Sequence, residues 1–265
     1  MTLDFSRYHD IVVLTGAGVS AGSGLPTYRG KGGLWNENAL SIATAAGIAA
    51  APMAVWRVFA PLRARARDAQ PNAAHIALAR LEAKTSGSMT IITQNVDGLH
   101  QRAGSTNVIE LHGNLHHTRC SNSAFELERF EDDSATDVLP RCSRCQAPLR
   151  PDIVLLDEPL DGGVEWHAKR ALRDCDLFVA VGPLRLVGPA PVRFPPRGVF
   201  LGVHQRATMN PQLFQRGGED VVLQTDLDTE LGSGSGLGRQ VIEHLCQDVG
   251  GRIVAFEKEL VGAAV

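Results

Sequence analysis

The 265-residue chain has no apolar run long enough to span a bilayer and no excess of basic charge. Its 26 Lys and Arg stand against 29 Asp and Glu, a formal net charge of −3, so nothing in its overall field attracts a polyanion and no nucleic-acid partner is expected. The one basic run, Arg63, Arg65 and Arg67, alternates with alanine on a helical stretch and reads as a solvated face. The opening MTLDFSRYHD holds neither the basic segment nor the apolar segment of a secretory leader, which predicts a soluble, cytoplasmic protein away from membranes. Cysteine is scarce as well. There are five, an odd number, and Cys142-x-x-Cys145 in a reducing compartment points to a metal and not to disulfides. Cys175 and Cys246 lie in apolar surroundings and read as small buried residues. No internal repeat is present. The 44% hydrophobic content suffices for one full core and a small satellite module.

What is there begins at Gly16. Residues 11–14 form an apolar run that reads as a buried parallel strand, and GAGVSAGSGLPTYRG follows at 16–30. Gly16, Gly18, Gly22 and Gly24 are free to take positive φ, letting backbone N–H groups approach a pyrophosphate. The spacing departs from GxGxxG, because Ser20 and Ala21 precede Gly22 and no acidic residue ends a second strand about 20 positions on. The loop therefore predicts a dinucleotide held in an unusual way.

Strand-like runs recur at 10–15, 89–93, 107–111, 151–156, 176–181 and 198–203, with helical patterns at 53–68, 72–84 and 163–173 between them. That alternation predicts an α/β fold, a Rossmann-like parallel sheet with helices on both faces. Ligands of such sheets sit beyond the carboxyl ends of the strands, where Gly16, Gln94 and Gly182 fall. Residues 116–149 interrupt the pattern with a polar, cysteine-bearing tract rich in Asp and Glu, a small inserted module. Residues 27–70 read as a second, helical insertion. GSGSGLG at 232–238 reads as a flexible connector, and 240–259 as an amphipathic helix, so 232–265 forms a linker and a C-terminal helix on a single domain over 1–265.

Two further tracts add to the loop: TQNVDGLHQRAG at 93–104 and ELHGNL at 110–115, each after a strand-like run. In this order and spacing the three resemble the sirtuins, the NAD-dependent protein lysine deacylases. PNAAHIALARLE at 71–82, the paired cysteines and RPDIVLLDEPL at 150–160 extend the resemblance over roughly residues 8–225. Thr27 and Tyr28, where much of the family has Asp and Phe, place the chain with the bacterial-type, class III-like branch.

The resemblance implies NAD as cofactor, acyl-lysine proteins as substrates, nicotinamide and O-acyl-ADP-ribose as products, and a monomer. It implies that His112 is the base for a ribose hydroxyl, suited to the task by an ordinary pKa of about 6.5. It sets Asn95 and Asp97 against the nicotinamide and its ribose, with Gln94 facing the ribose. A plain helix-capping role for Asp97 remains open beside this one. Further implied cofactor contacts are Gly16, Ala17, Gly18, Ser20, Tyr28, Arg29, Trp35 and Val96. On the adenosine side the corresponding positions are Gly182, Pro183, Leu184, Gly202 and His204. There the family's GTS and Asn-x-Glu are replaced, which predicts weakened NAD binding.

The family's substrate-pairing FGE reads Leu156-Asp157-Glu158 here, so Asp157 and Glu158 join the implied substrate contacts. The Tyr and Arg that meet a succinyl carboxylate in class III members fall on Phe59 and Leu62, which predicts neutral acyl groups; Arg57 or Arg63 would be the cation only in another register. Cys120, Cys142 and Cys145 match a zinc-ribbon-like module whose fourth ligand position is Ser123, with His116 or His117 available to complete it. Two other readings stay open: an NADase or ADP-ribosyltransferase using the same C1′ chemistry, and a degenerate module that binds NAD or ADP-ribose without turnover.

Overall fold

The computed structural model describes residues 5–26, 42–122, 129–132, 138–181, 200–204 and 223–226. In chain order its strands are β1 Asp10–Thr15, β2 Ser88–Thr93, β3 Val108–Glu110, β4 Gly113–Cys120, β5 Phe130–Glu131, β6 Leu149–Ile153, β7 Leu177–Val181, β8 Phe200–His204 and β9 Leu223–Asp226. Its helices are α1 Ala17–Ala21, α2 Ala45–Ala50, α3 Pro52–Asp68, α4 Ala73–Lys84, α5 Leu99–Arg102 and α6 Gly162–Asp174. None of the described helices is long and apolar enough to cross a membrane.

Six strands form one sheet in the order β3-β2-β1-β7-β8-β9, and every neighbouring pair is parallel. The run 11–14 is apolar at every position because β1 lies at the centre and is covered on both sides. Side chains alternate across a strand. Ile11 and Val13 therefore pack with Leu78 and Leu81 of α4, while Val12 and Leu14 pack with Ala168 and Leu172 of α6. Asn72 caps α4 by accepting from Ala74 N at 2.9 Å, and Asp161 caps α6 by accepting from Gly163 N and Val164 N, both at 3.0 Å. The doubly covered sheet expected from the sequence is thus present.

Residues 151–156 do not join it. β6 instead pairs antiparallel with β4, in a three-stranded sheet of order β5-β4-β6. Its apolar end is real enough, since Ile153 and Leu155 bury against α3, but an apolar run says only that a strand is covered and not which strand is its neighbour. The turn into this sheet is made at Gly113, which has φ +80 and whose missing Cβ would lie 2.1 Å from the Asp152 carbonyl oxygen. The small sheet reaches from Gly113 to Ile153, wider than the expected 116–149, and β9 supplies the sixth parallel strand.

The glycine loop is also more regular than expected. Residues 17–21 wind into α1, so Gly18 is helical and Gly22 ends the turn at φ −65, while Gly16 is extended at φ −139. Gly24, at φ +81, takes the left-handed conformation. Tyr28, Arg29, Trp35, Ser123, Gly182, Pro183, Leu184, Cys246 and the segment 232–265 lie outside the described residues.

Candidate functional site

Three loops leave the carboxyl ends of β1, β2 and β3 side by side. The parallel ladder extends one step into each: Gly16 N donates to Val181 O at 3.3 Å, Gln94 N to Thr15 O at 3.0 Å, and Leu111 N to Thr93 O at 2.9 Å. Residues 16–20, 94–98 and 111–113 are therefore held in register above the sheet.

Their polar side chains converge. Asn95, 3% exposed, donates from Nδ2 to Gly16 O and to Ser20 Oγ, both at 3.1 Å. Ser20 Oγ donates in turn to Asp97 Oδ2 at 2.7 Å, and Asp97 Oδ1 accepts from Leu99 N at 3.0 Å. One oxygen of Asp97 thus caps the first turn of α5, as one reading of the sequence had it, while the other faces Ser20 in the crevice. Asn95 Oδ1 is buried and has no hydrogen-bond partner among the described residues. Asn95 and Asp97 line a small cavity together with Ala17, Ser20, Leu25, Pro26, Leu62, Val96 and Leu115.

His112 stands half-buried beside this cluster, with its Nδ1 3.0 Å from Gln94 O. A carbonyl only accepts, so Nδ1 carries the hydrogen and Nε2 is left as the basic nitrogen. Burial pushes the imidazole below its ordinary pKa, against a smaller upward effect of the Gln94 carbonyl, so the ring is neutral at pH 7 and able to take a proton. Its own carbonyl accepts from Val154 N at 2.9 Å, which ties the 154–158 segment to the same corner.

Phe59 and Leu62 are both buried on α3, packed with Val55, Val96, Leu115, Ile153 and Leu155. No lysine or arginine lines the cavity among the described residues. Arg57 is exposed. Arg63 is not on a solvated face, as its alternation with alanine suggested; it is 6% exposed, donates to Thr118 Oγ1 at 3.2 Å and to Asp132 O, and stacks over Trp56. Arg63 is thereby engaged with the small sheet, and neither arginine lines the cavity.

Asp157 and Glu158 sit at the expected segment, with their carboxylates engaged inside the protein. Asp157 Oδ1 accepts from Ala45 N at 2.6 Å, at the start of α2. Glu158 accepts from Leu155 N at 3.0 Å and from both terminal nitrogens of Arg150. These bonds fix the 155–158 turn against α2 and Arg150.

Cys120, Cys142 and Cys145 come together, with all three sulfurs within 4.8 Å of one another. Asn122 N donates to Cys120 Sγ at 3.4 Å, and the backbone N–H groups of Arg144 and Cys145 donate to Cys142. N–H donors of this kind stabilise thiolates, so the donor set suits zinc. Neither histidine completes it: His116 Nε2 lies 3.0 Å from Asp97 O, on the crevice side of β4, and among the described residues the group is three cysteines. Near-stoichiometric zinc is expected in protein purified without added metal, and a chelator should lower the thermal midpoint by unfolding the small sheet first. Metal analysis beside a melting curve checks this; a metal-free preparation with an unchanged midpoint would show that packing alone holds the module.

Sequence reasoning assigned no role to His75 or His100, which lie directly behind the crevice, 0% and 1% exposed. The available signal was that Thr15 and Thr93 end adjacent strands as register partners, putting two hydroxyls on one buried spot.

The Sir2 family pattern matches residues 16–189. The chain is 46% identical over 189 residues to an NAD-dependent protein deacylase of Methylococcus capsulatus, covering 68% of this chain and 73% of that protein. It is 44% identical over 188 residues to one of Vibrio parahaemolyticus, covering 69% and 76%. Among solved structures, a Sir2 homologue in complex with ADP-ribose superposes with a TM-score of 0.75 at 35% identity, over 93% of this chain and 94% of that one. A Sir2 homolog–NAD complex gives 0.72 at 32% identity, over 92% and 91%.

Proposed function

Because the chain belongs to the Sir2 family, we infer that it is an NAD-dependent protein lysine deacylase and that Asn95, Asp97 and His112 carry its chemistry. The observation that carries the assignment of the site is the Asn95 side chain. Its Oδ1 is buried and unpartnered beside a cavity lined by Ser20, Val96 and Asp97. An unfilled acceptor of this kind costs about 1–3 kcal/mol, and a carboxamide N–H entering the cavity would recover it. The nicotinamide group presents such an N–H, so the residues fit the cofactor.

Bound NAD would supply an electrophilic C1′ at which the acyl oxygen of the substrate replaces nicotinamide, one water being consumed and the free lysine amine released as O-acyl-ADP-ribose forms. For that exchange the chain's residues orient, exclude water and move a proton. Asn95 and Asp97 fix the nicotinamide end, with Gly16, Ala17, Gly18 and Ser20 turning main-chain groups toward the phosphates. His112 Nε2 takes the proton of a ribose hydroxyl and later returns it, which needs the neutral ring that burial favours. Gln94 sets the tautomer of His112 through its carbonyl. His204 ends β8, two residues after Gly202, and β8 runs parallel in the sheet that holds β1 and β2, which supports an adenosine site at that carboxyl edge. The absence of the family's hydroxyl and amide groups at 182–184 and 202 favours loose adenosine binding. Acyl-lysine proteins are the proposed substrates, acted on by a monomer; Sir2–p53 peptide complexes are among the related structures.

The acyl side at Phe59 and Leu62 favours neutral chains, because these side chains are buried among Val55, Val96, Leu115, Ile153 and Leu155 and a carboxylate there would meet apolar groups. With matched acetyl-, butyryl-, longer-chain and succinyl-lysine peptides, kcat/KM for acetyl is expected to exceed that for succinyl by about tenfold or more, as an unpaired buried charge costs several kcal/mol. Mass spectrometry of the O-acyl-ADP-ribose formed identifies the reaction at the same time. Free ADP-ribose as the sole product would mean water is the acceptor, and faster succinyl turnover would bring a distant arginine into the pocket.

A further inference from the structure

His100 lies in the first turn of α5 and His75 in the first turn of α4, and their rings meet with centroids 4.8 Å apart at 59°. Burial pushes His100 down to about 3 and lowers His75 as well, so both rings are neutral. Neither enters the chemistry proposed above. Each nevertheless begins a line of hydrogen bonds that ends in the crevice.

The line from His100 is fully buried. Thr15 Oγ1 donates its hydrogen to Thr93 Oγ1 at 2.8 Å. Thr15 Oγ1 is also 2.9 Å from His100 Nε2, and having used its hydrogen it must accept there, so Nε2 carries the imidazole proton. Thr93 Oγ1 then accepts from Asn95 N at 3.1 Å. The other nitrogen of His100, Nδ1, has no hydrogen-bond partner among the described residues, so Thr15 is the ring's hydrogen bond there. Asn95 is therefore tied twice: its side chain to Gly16 and Ser20, its main chain to the Thr93–Thr15–His100 line.

We propose that His100 is a positioning residue for deacylation, which through Thr15 and Thr93 fixes the main chain at Asn95 and so aims the Asn95 amide at the reacting end of the cofactor. The inference rests on the placing of Asn95 at the nicotinamide. A rotation of the Asn95 backbone of a few tenths of an ångström would leave the fold intact while misdirecting an acceptor whose value depends on aim. The effect is expected in kcat more than in peptide KM, because the line from His100 ends at the main-chain N–H of Asn95, whereas Phe59 and Leu62 stand on α3.

The test compares His100→Leu and Thr15→Val, which remove the relay, with His100→Gln and Thr15→Ser, which keep an N–H and a hydroxyl at the same points. Steady-state kinetics with an acetyl peptide and thermal melting are measured for each. The first pair should lose about tenfold or more in kcat with peptide KM changed by less than about threefold, and the second pair should recover most of it. His100→Leu combined with Thr15→Val should lose no more than the worse single variant, since both cut one line. Folded relay-breaking variants with wild-type kcat, or losses that multiply in the double variant, would overturn the proposal. If the relay-breaking variants do not fold, ¹⁵N spectra of the wild-type imidazoles decide it: His100 should be Nε2-protonated and neutral from pH 5 to 8, and an Nδ1-protonated or titrating His100 would refute the line. Asn95→Ala separates the two levels. If that variant is fully active, the site assignment fails; if it is crippled while the relay-breaking variants are not, only the role of His100 fails.

Discussion

Replacing His112 with alanine is expected to lower kcat for deacylation by about 100-fold or more, the usual range for a positioned base, while costing only about 1 kcal/mol of stability for the hydrogen bond to Gln94 O. The asymmetry follows from where the side chain stands. It is half-buried, shares no core cluster, and its hydrogen bond among the described residues is the one from Nδ1 to Gln94 O. The pH dependence gives an independent check. The base works only when neutral, and burial holds its folded pKa below the ordinary value, so activity is retained above that lowered pKa and lost as pH falls through it. The acid limb of kcat/KM should therefore lie below pH 6.5, about the value of an unperturbed imidazole, and should vanish from the residual activity of His112→Ala. A variant within about tenfold of wild type, or an unaltered acid limb, would remove His112 from the mechanism.

Asn95 and Asp97 should separate in an informative way. Asn95→Ala loses two hydrogen bonds to Gly16 and Ser20 but also removes an unsatisfied buried oxygen, so its stability change should be small beside a turnover loss of about 100- to 1000-fold. Asp97→Ala leaves Leu99 N and Ser20 Oγ without their acceptor, and about 2 kcal/mol or more of stability should go with the activity. Asp97→Asn distinguishes the two functions of that carboxylate. An amide oxygen can still accept from Leu99 N, so the variant should melt close to wild type and yet turn over slowly. Parallel losses of stability and rate in all three, measured by melting curves and initial rates, would mean that the carboxylate acts as a helix cap and nothing more.

The central strands were legible because a strand covered on both faces must be apolar at every position, and 11–14 leaves no alternative. The crevice was legible for a related reason: polar tracts directly after such strands have only the carboxyl edge of the sheet to occupy. Partners were not legible. β4, GNLHHTRC, carries polar residues on both faces because it serves the crevice through Asn114 and His116 and the small sheet through Thr118 and Cys120, so no period-2 pattern marks it. Arg63 was misjudged by following the arginines along the sequence and not around the helix. Val55, Trp56, Phe59, Leu62 and Ala66 set an inward stripe at helical spacing, and position 63 falls within it. The histidines at 75 and 100 had no pattern of their own to be found by. Their meaning arises from the meeting of α4 and α5 behind β1 and β2, which no local stretch of sequence specifies.

One turn of α3 serves the cavity and the small sheet at once. Leu62 lines the cavity beside Asn95 and the next residue, Arg63, grips Thr118 and Asp132 at the small sheet. Adjacent residues on a helix cannot be rotated independently, so any drift that re-seats the guanidinium also turns the wall of the pocket. The planar fork of arginine, bonded on two nitrogens and stacked on Trp56, has no close substitute in lysine. A substitution at Arg63 is for this reason expected to disturb both the cavity wall at Leu62 and the small sheet at Thr118, and a change at Leu62 to be felt at Arg63 in turn.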